Sequence, residues 1–324
     1  MTVVALARVL LDEHGARIEQ ALGDRVTLLP LRGIAGEADL SEVEIAVYGR
    51  FDGPLSFREV SEEMPRLRWI HSTGAGIEGF ASQALIDRGV IVTTSAGIYA
   101  PAMAEYAIAG MVAIARDLRR LIAQQDERRW QHEAVSGSEL YGKRVGIVGY
   151  GETGRYVALI CKALGMEVWA TKRTPILTTG EPVDRLLPAD GLHEMLAQSD
   201  FVVVATSLNS TTRQLLGEAE FRALKPGAGI VNVARGGVID QDALIAALDD
   251  GRVRGAMLDV VTPQPLPPES PLWTHPRVIV TPHISGGSPE GWVRSMDLFI
   301  TNLPRYLAGD VAHLGGLVDL RDHL

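Results

Sequence analysis

Short apolar runs recur along this chain, and between them apolar positions return every three or four residues. Val3–Ala7, Val26–Pro30, Ile45–Tyr48, Leu67–His71 and Val90–Thr93 are runs of the first kind; Glu13–Leu22 is a stretch of the second. Such runs suit buried strands, and the longer period suits helices. Their alternation argues for a parallel sheet with helices on its faces. Pro101–Arg120 reads as one long helix, with Met103, Ala107, Met111, Ile114 and Leu118 at helical spacing. Val145–Val148, Val168–Ala170, Phe201–Ala205, Ile230–Val233, Ala256–Asp259 and Val278–Val280 add six strands, and Glu290–Leu307 a last helix. A second domain of ordinary size is complete by His283, so that helix is expected to return to the first. The predicted division is 1–99 with 288–324 for one domain and 100–287 for the other.

The first of the six downstream strands runs directly into glycine, as Val145-Gly146-Ile147-Val148-Gly149-Tyr150-Gly151-Glu152-Thr153-Gly154. A helical pattern follows from Arg155 and stops at Gly165. In a strand–turn–helix unit, Gly149 permits the turn, Gly151 lets a pyrophosphate approach the backbone, and Gly154 lets helix and strand pack closely. The helix N-terminus offers N–H groups and a positive dipole end to the phosphates. This predicts a dinucleotide site in which Tyr150, Glu152 and Thr153 lie among the contacts. The first hundred residues carry no such loop.

Ligand groups in this architecture sit at the carboxyl ends of the strands. Thr206 and Ser207, Asn232 and Arg235, Asp259, and Thr281 with His283 cluster at the carboxyl ends of predicted strands. A guanidinium at Arg235 can hold a carboxylate or carbonyl oxygen through two donors. His283 suits proton transfer. Asp259 either orients that histidine or touches the cofactor, or it caps a turn. NAD-selective sites place an acid at the end of the second strand. Here Lys172, Arg173 and Thr174 stand there instead, which predicts NADP(H) in preference to NAD(H).

Composition narrows the class. Of 324 residues, 46% are hydrophobic and 22% charged, an ordinary globular balance. A net charge of −9 gives nucleic acid and anionic membranes no basic surface to bind. No apolar run approaches a membrane span, and the N-terminus lacks a signal-peptide pattern, so a soluble cytoplasmic protein is expected. The single cysteine, Cys161, excludes an internal disulfide and reads as a buried thiol. No cluster has metal-ligand spacing.

Taken together, Ser72-Thr73-Gly74-Ala75-Gly76-Ile77, Met103-Ala104-Glu105, Leu140-Tyr141-Gly142-Lys143 before the glycine loop, Asn232-Val233-Ala234-Arg235-Gly236, Leu258-Asp259-Val260, Ser270-Pro271-Leu272-Trp273 and Thr281-Pro282-His283 resemble the D-isomer-specific 2-hydroxyacid dehydrogenases over nearly the whole chain. The resemblance implies a Rossmann dinucleotide-binding domain inserted into a smaller flavodoxin-like substrate domain, and a homodimer. It implies that Arg235 holds the C2 oxygen and carboxylate of a small 2-oxo acid of glyoxylate or hydroxypyruvate type. His283 would exchange the proton at C2, and backbone N–H groups around Ala75, Gly76 and Ile77 would hold the carboxylate. Thr206, Ser207, Ala234, Asp259 and His283 complete the implied cofactor contacts.

Two departures stand out. The family's acidic partner for the histidine is Gln264 here, which can orient an imidazole but does not stabilise its cation as a carboxylate does. Formate dehydrogenases look similar at that point, in a Pro-Gln-Pro context, but they are longer and carry asparagine where Tyr99 aligns. Tyr99 itself is expected to face the cleft, and Arg50 to be an exposed arginine or to meet a distal substrate group. A cofactor-sensing protein without turnover is the reading from another functional class.

Overall fold

The computed structural model describes residues 1–31, 39–49, 61–77, 82–131, 137–176 and 178–323. Arg50 lies outside them. The described chain forms two compact units, Met1–Ile98 with Ser288–Leu324, and Tyr99–Gly287.

In the first unit, β1 (Thr2–Ala7) passes directly into α1 (Arg8–Leu22), followed by β2 (Val26–Leu31), β3 (Val43–Tyr48), β4 (Trp69–Ser72), α2 (Gln83–Asp87) and β5 (Ile91–Thr94). The second unit holds α3 (Ala100–Ala115), α4 (Leu118–Asp126), β6 (Arg144–Val148), α5 (Glu152–Ala163), β7 (Glu167–Thr171), β8 (Arg185–Leu187), α6 (Leu192–Gln198), β9 (Phe201–Val204), α7 (Glu218–Ala223), β10 (Ala228–Asn232), α8 (Gln241–Asp249), β11 (Val253–Leu258) and β12 (Val278–Val280). The chain then re-enters the first unit with α9 (Pro289–Leu307) and β13 (Leu317–Val318).

The first sheet runs β13-β5-β4-β3-β1-β2, parallel except where β13 pairs antiparallel with β5. Without that edge strand its order is the 2-1-3-4-5 of flavodoxin-like sheets. Trp69 on β4 is fully buried, with its ring 5.3 Å from Phe299 and 5.0 Å from Tyr306, both on α9. That packing explains why the last helix belongs to the first unit. The second sheet runs β12-β11-β10-β9-β6-β7-β8, all parallel. Its order reverses beside β6, the strand that enters the glycine turn, where doubly wound sheets take ligands. Central strands such as Phe201–Val204 are buried throughout, as a sheet covered on both faces requires.

Several boundaries differ from expectation. The predicted helix Pro101–Arg120 is two helices, α3 and α4, because Asp117 takes a left-handed conformation (φ 52°). Aspartate tolerates that region better than most side chains, so the helix breaks there. β8 and β13, of three and two residues, are additional edge strands too short to give a pattern. α1 begins five residues before Glu13, immediately behind β1. Cys161 is buried, and burial pushes its thiol up to about 12, which keeps it protonated and inert. No described helix is long and apolar enough to cross a membrane.

Candidate functional site

The glycine turn is built as a cradle. Gly149 has φ +99°, and a Cβ there would stand 2.8 Å from the backbone of Thr206. A Cβ on Gly154 would stand 2.2 Å from the Gly149 carbonyl oxygen, so this glycine permits α5 to close on its strand. A Cβ on Gly151 would meet nothing within 4 Å. Gly151 is also the N-cap of α5, with no side chain capping it, so the first-turn N–H groups open beside that space. An open backbone approach at a helix N-terminus fits a pyrophosphate.

The residues between the glycines behave differently from one another. Tyr150 was expected among the cofactor contacts, but both its donors are used within the fold: N–H to Thr171 O at 3.0 Å and the hydroxyl to Glu181 Oε2 at 2.9 Å. Glu181 also accepts from Arg155 Nε at 2.9 Å, and these two donors hold its carboxyl below the usual range. The Thr153 hydroxyl points to Met103 Sδ, 3.8 Å away on α3, which leaves Thr153 only its main chain for a phosphate. The Glu152 side chain is exposed. Thr206 is half-buried against Gly149, and the carbonyl of exposed Ser207 accepts from Thr212 Oγ1 at 2.7 Å. Lys172, Arg173 and Thr174 are exposed where β7 ends, and none makes a side-chain hydrogen bond or ion pair among the described residues.

Arg235 follows β10 on a loop shaped by Asn232. The Asn232 Oδ1 accepts from Ala234 N at 3.0 Å, and its Nδ2 donates to Arg235 O at 3.1 Å. Arg235 Nη1 donates to Ala234 O at 2.9 Å, so both polar groups of buried Ala234 have partners inside the loop. A Cβ on Gly236 would lie 2.1 Å from Val261 O, so glycine lets this loop close against the one leaving β11.

Asp259 joins the two loops. Its N–H donates to Asn232 O at 3.0 Å. Its carboxylate, 1% exposed, accepts from Thr281 Oγ1 at 2.8 Å and from the N–H groups of Ile284 and Ser285 at 2.9 Å each. Its carbonyl accepts from His283 N, also at 2.9 Å. Of the roles open to Asp259, the structure shows the turn: a buried carboxylate solvated by three internal donors builds the turn that carries His283. His283 adopts φ 56° in that turn. Its ring is exposed, with Nδ1 3.0 Å from Gln264 Oε1. An amide oxygen there accepts a hydrogen bond from Nδ1–H, which makes Nε2 the acceptor of the neutral ring.

Gln264 is held through the preceding loop. Gln241 at the start of α8 accepts from Thr262 N at 2.8 Å and donates to Thr262 O. Gln241 and Asn232 are supports that sequence reasoning did not assign; only their places, at the head of a helix and the end of a strand, hinted at them. Tyr99 opens the second unit and is buried, not open, with its Cβ 3.3 Å from where a Cβ on Gly286 would stand. In the first unit, Ser72–Ile77 leaves β4 as an irregular loop, in which Ser72 Oγ accepts from Gly74 N at 3.2 Å.

The model of the D-isomer specific 2-hydroxyacid dehydrogenase NAD-binding domain matches residues 108–285. A glyoxylate reductase from Thermococcus gammatolerans is 33% identical over 272 residues, covering 81% of this chain and 78% of that one. A D-3-phosphoglycerate dehydrogenase from Methanocaldococcus jannaschii is 31% identical over 255 residues, 79% of this chain but 48% of that protein. The chain thus spans about half the length of the phosphoglycerate dehydrogenases it matches. Among solved structures, a D-isomer specific 2-hydroxyacid dehydrogenase from Xanthobacter autotrophicus Py2, in complex with NADPH and MES, superposes with a TM-score of 0.80 at 30% identity, covering 99% of this chain and 98% of that one. This chain belongs to the D-isomer specific 2-hydroxyacid dehydrogenase family.

Proposed function

We propose that this protein reduces a small 2-oxo acid of the glyoxylate or hydroxypyruvate type to its D-2-hydroxy acid at the expense of NADPH. The observation that carries the reading is the joined pair of loops: Arg235 and His283 follow β10 and β12, the strands on either side of β11 in one sheet, and Asp259 at the end of β11 ties them together. When bound, the nicotinamide supplies hydride to C2 of the acid. Negative charge then grows on the C2 oxygen, and the Arg235 guanidinium stabilises it. The His283 imidazolium gives its proton to that oxygen, while Gln264 holds the ring through Nδ1. The N–H groups of Ala75, Gly76 and Ile77 hold the carboxylate; among the described residues none of the three has an internal acceptor.

Lys172 and Arg173, exposed at the end of β7 with no acid in the same short stretch, favour a ribose 2′-phosphate. NADPH in the Xanthobacter relative agrees with that choice. The named glyoxylate reductase supports the size of the acid. The assembly we propose is a homodimer. Val112, Leu118, Leu121, Ile122 and Trp130, all exposed, concentrate in and just beyond α3 and α4 and supply an apolar face for a second copy.

The test is NADPH oxidation by the purified protein across glyoxylate, hydroxypyruvate, pyruvate and bulkier 2-oxo acids. Turnover fastest with the small acids, and faster with NADPH than NADH, is expected. NADPH binding with no turnover on the panel overturns the enzyme reading in favour of a cofactor sensor. The contact of Gln264 with His283 favours one second reading, formate oxidation. NADP⁺ reduction by formate, with none by D-2-hydroxy acids, would establish it.

A further inference from the structure

We propose that Ser95 is a positioning residue for the loop 72–77, fixing its main chain at the end of a buried run of hydrogen bonds that starts from Trp69. The proposal rests on the reading of this loop as the cradle of the substrate carboxylate. Ser95 is fully buried just past β5. Its N–H reaches both Ser72 O at 3.1 Å and Gly74 O at 2.9 Å, and its hydroxyl donates to Ser72 O at 3.1 Å. One residue thereby occupies the carbonyls of the loop's first turn. Among the described residues, the N–H groups that follow at 75, 76 and 77 have no internal acceptor. Successive free N–H groups of this kind form an anion-binding concavity.

The run begins at a group that can only donate. An indole N–H only donates, so Thr93 Oγ1, 2.9 Å from Trp69 Nε1, must accept. Thr93 keeps its own proton to donate, and His71 Nδ1 stands 2.9 Å away; with Nδ1 as the acceptor, the imidazole proton is on Nε2. Nε2 faces Ser95 Oγ at 3.5 Å, the longest link. Ser295 on α9 stands 2.7 Å from the same oxygen. Because the Ser95 proton is committed to Ser72 O, Ser295 is the donor. Five buried side chains, Trp69, Thr93, His71, Ser295 and Ser95, therefore hold one loop in a single arrangement.

A purely structural role would lower stability and leave the loop's affinity for anions alone. The readouts are therefore the KM for glyoxylate, the Ki of oxalate as a carboxylate without turnover, and the Kd of NADPH from fluorescence titration. In Ser95→Ala, KM and Ki are expected to rise together by about tenfold, with NADPH Kd unchanged. Ser95→Thr, which keeps the hydroxyl, is expected to restore most of the affinity. Ser295→Ala removes only one donor and is expected to move KM and Ki the same way by less; it carries the test if Ser95→Ala does not fold. Gly76→Pro deletes an N–H of the loop itself. If Gly76→Pro raises KM and Ki while the serine variants leave both unchanged, the loop binds the carboxylate and Ser95 does not position it. If all the variants bind NADPH normally and leave KM and Ki unchanged, the loop is not the cradle, and the proposal falls with that reading.

Discussion

The two units share a design, a parallel sheet with working loops at the carboxyl ends of its strands, and differ in how those loops are held. Under the first unit's loop lie neutral groups: hydroxyls, an indole and the imidazole of His71, all buried. Burial pushes His71 down to about 3, so it stays neutral at ordinary pH. Under the second unit's loops lies a buried carboxylate, Asp259, kept in place by three donors. His283 instead is exposed, on a turn that Asp259 shapes. A neutral support leaves amide dipoles as the field that an anion would meet there. A carboxylate support can organise a sharp turn around an exposed ring, because it accepts several N–H groups at once.

Deleting the exposed histidine should break this contrast most visibly. His283→Ala is expected to cut kcat for reduction by about 10²–10⁴-fold with NADPH affinity intact. A retained kcat would put the proton donor elsewhere.

The buried histidine should act on stability instead. The unfolded chain protonates His71 near 6.5, but the folded chain resists down to about 3. Its contribution is therefore whole above about pH 6.5 and is lost as pH falls toward 3. Near pH 3 that loss is roughly a thousandfold in the unfolding constant. His14, lowered by burial and by Arg17, tilts the same limb, while Glu167, Asp184, Asp200 and Glu220, all lowered, add losses at more acidic pH. Urea unfolding of wild type against His71→Gln at each pH isolates the His71 share; a difference independent of pH would refute it.

Gln264→Glu sharpens the comparison by giving the exposed histidine an anion. That charge favours the imidazolium, so the limb where reduction declines with rising pH should move upward by about 1–3 units. Superimposable pH–rate profiles would show that residue 264 does not set the acid's strength. The smallest effect is expected at the solvated end of β7, where Arg173→Ala should raise the NADPH KM by about tenfold relative to that for NADH. Equal changes with both cofactors would remove Arg173 from the phosphate site.

Much of this was legible in the chain. β6, the glycine turn and α5 follow from four residues of apolar strand, three spaced glycines and a helical period, each acting locally. The positions of Arg235 and His283 follow from the rule that ligand groups stand at strand ends. The supports were not legible. The work of Asp259 depends on backbone N–H groups more than twenty residues away, and that of Ser95 on partners both early and two hundred residues later. No local pattern encodes such pairings. The break at Asp117 escaped for a different reason, since the apolar spacing on its two sides stays in helical register.

The return of α9 to the first unit also sets an order of events during synthesis. The ring of Trp69 needs Phe299 and Tyr306, and the hydroxyl of Ser95 needs Ser295. About 190 residues of the second unit leave the ribosome in between, which takes roughly 10–40 s at ordinary elongation rates. Through that interval the nascent first sheet lacks the cover of its last helix and must wait, apolar face open to chaperones, while the unit made later is the first with all its parts in hand.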